Sequence, residues 1–184
     1  MEMQFFVPPG TELKFYEEWK QKRLNWHLAL GLGQENYRFH DHEKLAHYAN
    51  AATDIEFKFP FGFKELEGIH SRTDFDLGAH EKYSGRKLQY FDPERNETYV
   101  PYVVETSIGL DRMFLALFSH CLKNEVLEDG SERVVLALPP ALAPVKAAIL
   151  PLVKKDGLPE LAEKIFNDLK YDFNIISEEK DSIG

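Results

Sequence analysis

The chain has 184 residues, 43% of them hydrophobic, enough for one substantial domain or one and a half smaller ones. Its formal charge of -9 at pH 7, taken alone, argues against a nucleic-acid partner, because phosphates favour basic surfaces. The single cysteine, Cys121, permits no internal disulfide and fits a reducing cytoplasm; no apolar run approaches the roughly eighteen residues of a membrane span, and residues 1–10 lack a secretory pattern.

Residues 2–7 alternate as a strand with Glu2 and Gln4 on one face, and Pro8, Pro9 and Gly10 end it. From residue 11 to 30 the positions Leu13, Phe15, Tyr16, Trp19, Leu24, Trp26, Leu28 and Leu30 predict a long amphipathic helix, started by Thr11 and stopped at Gly31 and Gly33. Residues 35–40 read as a short strand, and Asp41 is placed to cap a helix over 42–52. His42 and His47 stand five apart there, so they diverge around the helix and make no zinc-protease pair, whose histidines lie four apart. Residues 53–59 alternate cleanly, with Ile55, Phe57 and Phe59 facing one way, which predicts a half-buried antiparallel strand.

After a turn at Pro60 to Phe63, residues 64–71 predict a strand in which Glu65 and Glu67 share a face and Gly68 allows a close approach. A short helix over 74–83, a strand over 87–91 and a hairpin loop over 92–96 follow. The centre of the chain is 99–118, YVPYVVETSIGLDRMFLALF, where a strand feeds through Gly109 into a buried helix. Strand alternation puts Val103, Glu105 and Ser107 on one face. Arg112 falls in the first turn of the helix, where the macrodipole disfavours a cation, so an anion held there would compensate it. A plain Glu105–Arg112 pair across the turn is the structural alternative.

Residues 125–132 read as an acidic surface loop, 133–138 as a strand, 139–144 as a rigid connector and 146–153 as a buried strand. Pro159 opens an amphipathic helix carrying Leu161, Ile165, Phe166 and Leu169, and 173–176 form a strand, so this part predicts an opening βαβ unit. It has no glycine-rich dinucleotide fingerprint. The chain opens inside a strand-like run and stops at Ser182, Ile183 and Gly184 without a closing element, as a fragment would.

Several long motifs in order, MEMQFFV, HEKLAHYANAATDIEF, FGFKELEGIHSRTDFDL, YVVETSIGLDRMFLAL and LPPALAPVKAAILPLVKKDGLPELA, give the chain a resemblance to glycyl-tRNA synthetases of the dimeric bacterial and eukaryotic type, class II aminoacyl-tRNA synthetases. The resemblance spans almost the whole chain. It implies an α+β fold: an antiparallel sheet flanked by helices, the partial class II catalytic core, over 1–130, then the beginning of an α/β anticodon-binding domain over 131–184. The first signature motif and nearly all of the second are absent, and YVVETSIGLDRMFLAL resembles the third.

By that resemblance Glu2, Glu105 and Ser107 receive the glycine ammonium group, with Thr106, Ile108 and Gly109 completing the glycine site. Glu65, Leu66, Gly109, Leu110, Asp111 and Arg112 match the ATP contacts, Arg112 holding the phosphates. Thr106 stands where the family usually has proline. The implied reaction activates glycine with ATP and Mg²⁺ and transfers it to tRNA(Gly) in a cytoplasmic homodimer. No residue serves as covalent nucleophile or resident metal ligand, and the fragment alone is expected to be nearly inactive. The rival readings are a non-catalytic, synthetase-like nucleic-acid-binding module and a hydrolase using Glu65 and Glu67, the second resting on spacing alone.

Overall fold

The computed structural model describes residues 1–178, which divide into two compact units, Met1–Ala137 and the part from Leu138 onward. The expected open end at Ser182, Ile183 and Gly184 lies outside the described residues.

The first unit is organised by a five-stranded antiparallel sheet of β1 (Glu2–Val7), β2 (Tyr37–Asp41), β3 (Ala51–Phe59), β4 (Gly62–Thr73) and β7 (Tyr102–Ile108), in the order β1-β7-β4-β3-β2. The strands form because β-branched and aromatic residues alternate with polar ones, which suits a pleated surface with one covered face. That covered face carries Val7, Ile55, Phe57, Phe59, Ile69 and Val104, all buried. Helix α1 (Glu12–Ala29) packs on it: Phe5 of β1 meets Phe15 and Trp19 edge-on, with centroids 5.4 and 5.5 Å apart. The helix is as expected, yet its inward row includes Glu12 and His27, both buried, while Leu13 and Trp26 stay exposed.

Four local expectations are corrected. Residues 42–50 form no helix. Asp41 ends β2 paired with Thr53, and the His42 amide donates to the Ala52 carbonyl at 3.0 Å, so the β2–β3 ladder takes the groups a helix cap would need. β2 itself begins at Tyr37, after a 3₁₀ turn over Gln34–Asn36. The exposed loop read over 125–132 is narrower, 127–131, because β8 (Leu122–Val126) and β9 (Glu132–Leu136) pair as a hairpin around it, with Arg133 against Glu125 at 2.9 Å. The helix after Gly109, α3 (Leu110–Cys121), is not buried all round: Met113, Ala116 and Cys121 are, but Leu110 and Phe114 are about two-thirds exposed, at 67% and 66%.

Helix α2 (Phe75–Ser84) follows β4, and a small hairpin of β5 (Tyr90–Asp92) and β6 (Glu97–Tyr99) precedes β7; β5 is shorter than the expected 87–91 strand. In the second unit β10 (Ala147–Ile149) pairs in parallel with β11 (Ile175–Ser177), and α4 (Leu158–Leu169) connects them, with Pro159 in its first turn. This is the βαβ order, though β10 covers only three residues of the apolar run 146–153, which Pro151 interrupts. No helix of the described residues is long and apolar enough to cross a membrane.

Candidate functional site

Glu105 sits in the middle of β7, the strand between β1 and β4, so its neighbours are set by two ladders. It lies opposite Gln4 on one side and His70 on the other, and Ser107 lies opposite Glu2 and Gly68. Residues directly opposite in an antiparallel pair share a face. Glu2, Gln4, Gly68, His70, Glu105 and Ser107 therefore all stand on the face of the sheet away from α1. Thr106 pairs with Met3 and Ile69 on the α1 face. Thr106 and Ile108 line a crevice of about 280 Å³ there with Arg23 and Trp26. Of the residues 105–109, only Glu105 and Ser107 thus offer side chains to the open face; Thr106 and Ile108 can reach it only by backbone.

Glu105 is buried, its side chain 10% exposed, and its carboxylate is polarised from two directions. Gln4 Nε2 donates to Oε2 at 2.5 Å, and Arg72 Nη1 donates to Oε1 at 3.3 Å. Arg72 is fixed by a fork onto Asp76, Nε to Oδ2 at 2.7 Å and Nη2 to Oδ1 at 3.2 Å, and its guanidinium lies 4.2 Å from the Tyr48 ring centroid. A carboxylate offers about four lone-pair sites, so Glu105 keeps accepting capacity after these two bonds. Glu2, Gln4, Phe6, Arg72, Asp76, Leu77, His80, Val103 and Glu105 line a cleft of about 400 Å³. Gly68, on the same face of the sheet, makes room for the His70 ring: a Cβ there would come 2.8 Å from it.

His70 Nδ1 lies 3.9 Å from Glu105 Oε1. Burial pushes the His70 imidazole below its ordinary value, against the pull of Glu105 and Asp54 and with repulsion from His42 and Arg72. The folded state therefore binds this proton less readily than the unfolded chain does. Stability should be intact above the unfolded value of about 6.5 and fall as pH drops through it toward the lower folded value. Urea unfolding between pH 7.5 and 5.5 should show that fall, and His70→Gln should flatten it.

The second part of the site lies at the amino end of α3. Arg112 Nη1 donates to the Glu65 carbonyl at 2.6 Å and lies 3.2 Å from its Oε2, with both side chains about half exposed. These two residues line a second cleft, of about 410 Å³, with Phe59, Phe61, Lys64 and Leu115. The anion that compensates Arg112 in this structure is Glu65 rather than Glu105. Leu66 is buried, and the exposed Leu110 and Asp111 open the helix beside Gly109.

Glu65 and Glu67 do not share a face, which removes the paired-acid arrangement. A bulge in the β3–β4 ladder puts Glu67 opposite Ile55 and Glu65 opposite Glu56, and Ile55 and Glu56 are consecutive residues pointing to opposite faces. Glu67 is buried under α1, where Arg23 Nε and Nη2 donate to it at 2.6 and 3.1 Å and His27 Nε2 lies 2.7 Å away. Burial raises its carboxyl, and the bonds from His27 and Arg23 outweigh that and hold it below the usual range. His42 and His47 also stay apart: His42 Nε2 meets Asp54 at 2.9 Å, whereas the His47 ring packs 4.9 Å from that of Phe75.

Arg72 was not singled out by the sequence reading, Gln4 was named only as sharing a face with Glu2, and Asp76 only as an acid near Glu65 and Glu67. The signal was present for Arg72, since Gly68, His70 and Arg72 alternate on one face of β4, and for Asp76, four residues on.

What the chain resembles, among proteins of known activity, is a class of ligases named for tRNA. The particular relatives are glycine–tRNA ligases. The whole chain aligns at 52% identity with that of Chlorobaculum tepidum, covering 39% of it. It aligns at 50% identity with those of Borrelia hermsii and Geobacillus thermodenitrificans, covering 42% and 40% of them. The chain thus spans about two fifths of the length of the curated relatives it matches. No protein-family model matches it.

Proposed function

We propose that this chain is part of a glycine–tRNA ligase of class II, supplying half of the pocket that activates glycine with ATP for transfer to tRNA(Gly). The single observation that carries the reading is Glu105, a carboxylate buried in the centre of the sheet, with Glu2 lining the same cleft. Two acids around a small ammonium ion make charge-assisted hydrogen bonds that are roughly twice as strong as neutral ones. Ser107, opposite Glu2, adds a hydroxyl acceptor. Thr106, Ile108 and Gly109 contribute backbone, and a tight wall there excludes larger side chains by shape.

ATP takes the neighbouring cleft. The Arg112–Glu65 pair is half exposed, so it contributes at most about 1 kcal/mol and a polyphosphate can displace the carboxylate from the guanidinium. Amides of Gly109, Leu110 and Asp111 at the start of α3 add the anion-binding end of a helix. Glu65 and Leu66 lie along the nucleotide. Magnesium arriving with ATP needs only one or two protein carboxylates, and Glu65 is the carboxylate of this cleft that fits; the ion would offset phosphate charge.

The glycine carboxylate then attacks the α-phosphorus in line and pyrophosphate leaves. In the second step a ribose hydroxyl at the tRNA end attacks the glycyl carbonyl and AMP leaves. This chain's residues position and stabilise charge without forming a covalent bond. The whole ligase is proposed to be a cytoplasmic homodimer, as the resemblance implies. The part from Leu138 onward is proposed to begin the anticodon-binding domain, and its βαβ order supports that.

The test is a chimera in which this chain replaces the 185 aligned residues of the Chlorobaculum tepidum relative. In it Arg112→Ala should raise the ATP requirement of glycine-dependent pyrophosphate exchange about tenfold to a hundredfold, the loss of a hydrogen bond to a charged group. An unchanged ATP requirement would remove Arg112 from the nucleotide site.

A further inference from the structure

Helix α2 lends Asp76, Leu77 and His80 to the cleft that contains Glu2 and Glu105. Within one turn of His80 the chain leaves that rim as residues 82–91, KYSGRKLQYF. In a chain of net charge -9 this stretch holds three cations and no acid, interleaved with three aromatic rings. Every residue in it is exposed, Tyr83 at 83%, Tyr90 at 52% and Phe91 at 54%. None of Lys82, Arg86 and Lys87 makes an ion pair among the described residues.

The loop is also held in shape. Gly85, in the left-handed conformation at φ 68°, caps α2 by donating to the Glu81 carbonyl at 2.9 Å. The Leu88 amide donates to Glu81 Oε1 at 2.6 Å, and the Arg86 amide donates to Ser84 Oγ at 3.2 Å. The flanking acids accept backbone amides, Glu81 from Leu88 and Asp92 from Glu94 and Arg95, and the exposed Arg86 and Lys87 pair with neither.

Uncompensated cations beside exposed rings suit an unpaired nucleic-acid strand, whose phosphates take the charge and whose bases stack. A duplex, with its bases already stacked, would leave the rings unused. We propose that residues 82–91 are a docking surface for single-stranded RNA, the unpaired 3′ end of the tRNA as it enters the cleft, with Arg86 and Lys87 on phosphates and Tyr83 and Phe91 on bases. This rests on the glycine–tRNA ligase reading, which is what brings an RNA end to the cleft.

The test titrates the 184-residue chain into a fluorescein-labelled single-stranded RNA of about nine nucleotides ending in CCA, by anisotropy, between about 50 and 200 mM salt. The Arg86→Glu/Lys87→Glu variant should lose at least about tenfold in affinity, and its salt dependence should flatten by about 1.4 in log–log slope, two phosphates' worth for a single strand. Tyr83→Ala and Phe91→Ala should each lose about fivefold or more with an unchanged salt slope. Lys14→Glu/Lys22→Glu, the same charge change on the outer side of α1, should lose far less. No RNA binding, equal losses in the α1 control, or a preference for a blunt RNA duplex overturns the proposal. Pyrophosphate exchange by the chimera decides the ligase reading separately, so an active chimera with RNA-insensitive arm variants sinks this inference alone.

Discussion

Glu105→Gln, made in the chimera, should weaken binding of a non-hydrolysable glycyl-adenylate analogue by about thirtyfold to several thousandfold. That is the 2–5 kcal/mol or so that follows from truncating one partner of a buried charge pair. The substitution preserves volume and one acceptor oxygen, so the loss reports charge rather than packing. It also leaves Asp76 as the one carboxylate bonded to Arg72 among the described residues, because the Arg72 guanidinium spans both carboxylates. Calorimetry with the analogue checks it, with far-UV dichroism to show that the sheet is kept. An affinity within threefold of the unsubstituted protein would place the ammonium elsewhere.

Glu67→Ala should destabilise the first unit by about 3–5 kcal/mol, the usual effect of removing one partner from a buried ion pair. The His27 side chain is 0% exposed and that of Glu67 1%, so neither water nor another carboxylate replaces what is lost. Glu67 also brings acid sensitivity. Its folded carboxyl titrates below the usual range, so its contribution is fully present above the unfolded value of about 4.3 and is lost as pH falls through the lower folded value. Urea unfolding at neutral pH and near pH 4 should show a large deficit in Glu67→Ala at the first and a smaller one at the second. A deficit below about 1 kcal/mol at neutral pH would mean that the Arg23–Glu67–His27 cluster contributes little.

The strand and helix around Gly109 were legible because their signals are local: alternation up to Ile108, then apolar residues at helical spacing. The same alternation foretold that Glu105 and Ser107 face together and that Glu2 and Gln4 do. It failed for Glu65 and Glu67, because a bulge beside Ile55 and Glu56 turns one of them over, and a bulge belongs to the pairing of two strands rather than to either sequence. Residues 42–52 looked helical beside Asp41 for a related reason. The β2–β3 ladder, formed with residues a dozen positions away, outweighs a local capping preference. In the 122–136 hairpin, Glu125, read as the start of a loop, is instead a cross-strand partner of Arg133. The apolar residues of α3 gave a correct helix and an incorrect burial, since composition says which side chains favour cover but not what covers Leu110 and Phe114.

Glycine-dependent exchange of pyrophosphate into ATP by the chimera, run in parallel with alanine, is the most direct measurement. The account predicts turnover with glycine, none above background with alanine, and turnover with glycine lowered by about thirtyfold or more once Glu105 is Gln. A folded chimera that turns over neither amino acid, or accepts alanine as readily as glycine, would contradict a pocket built around Glu2 and Glu105.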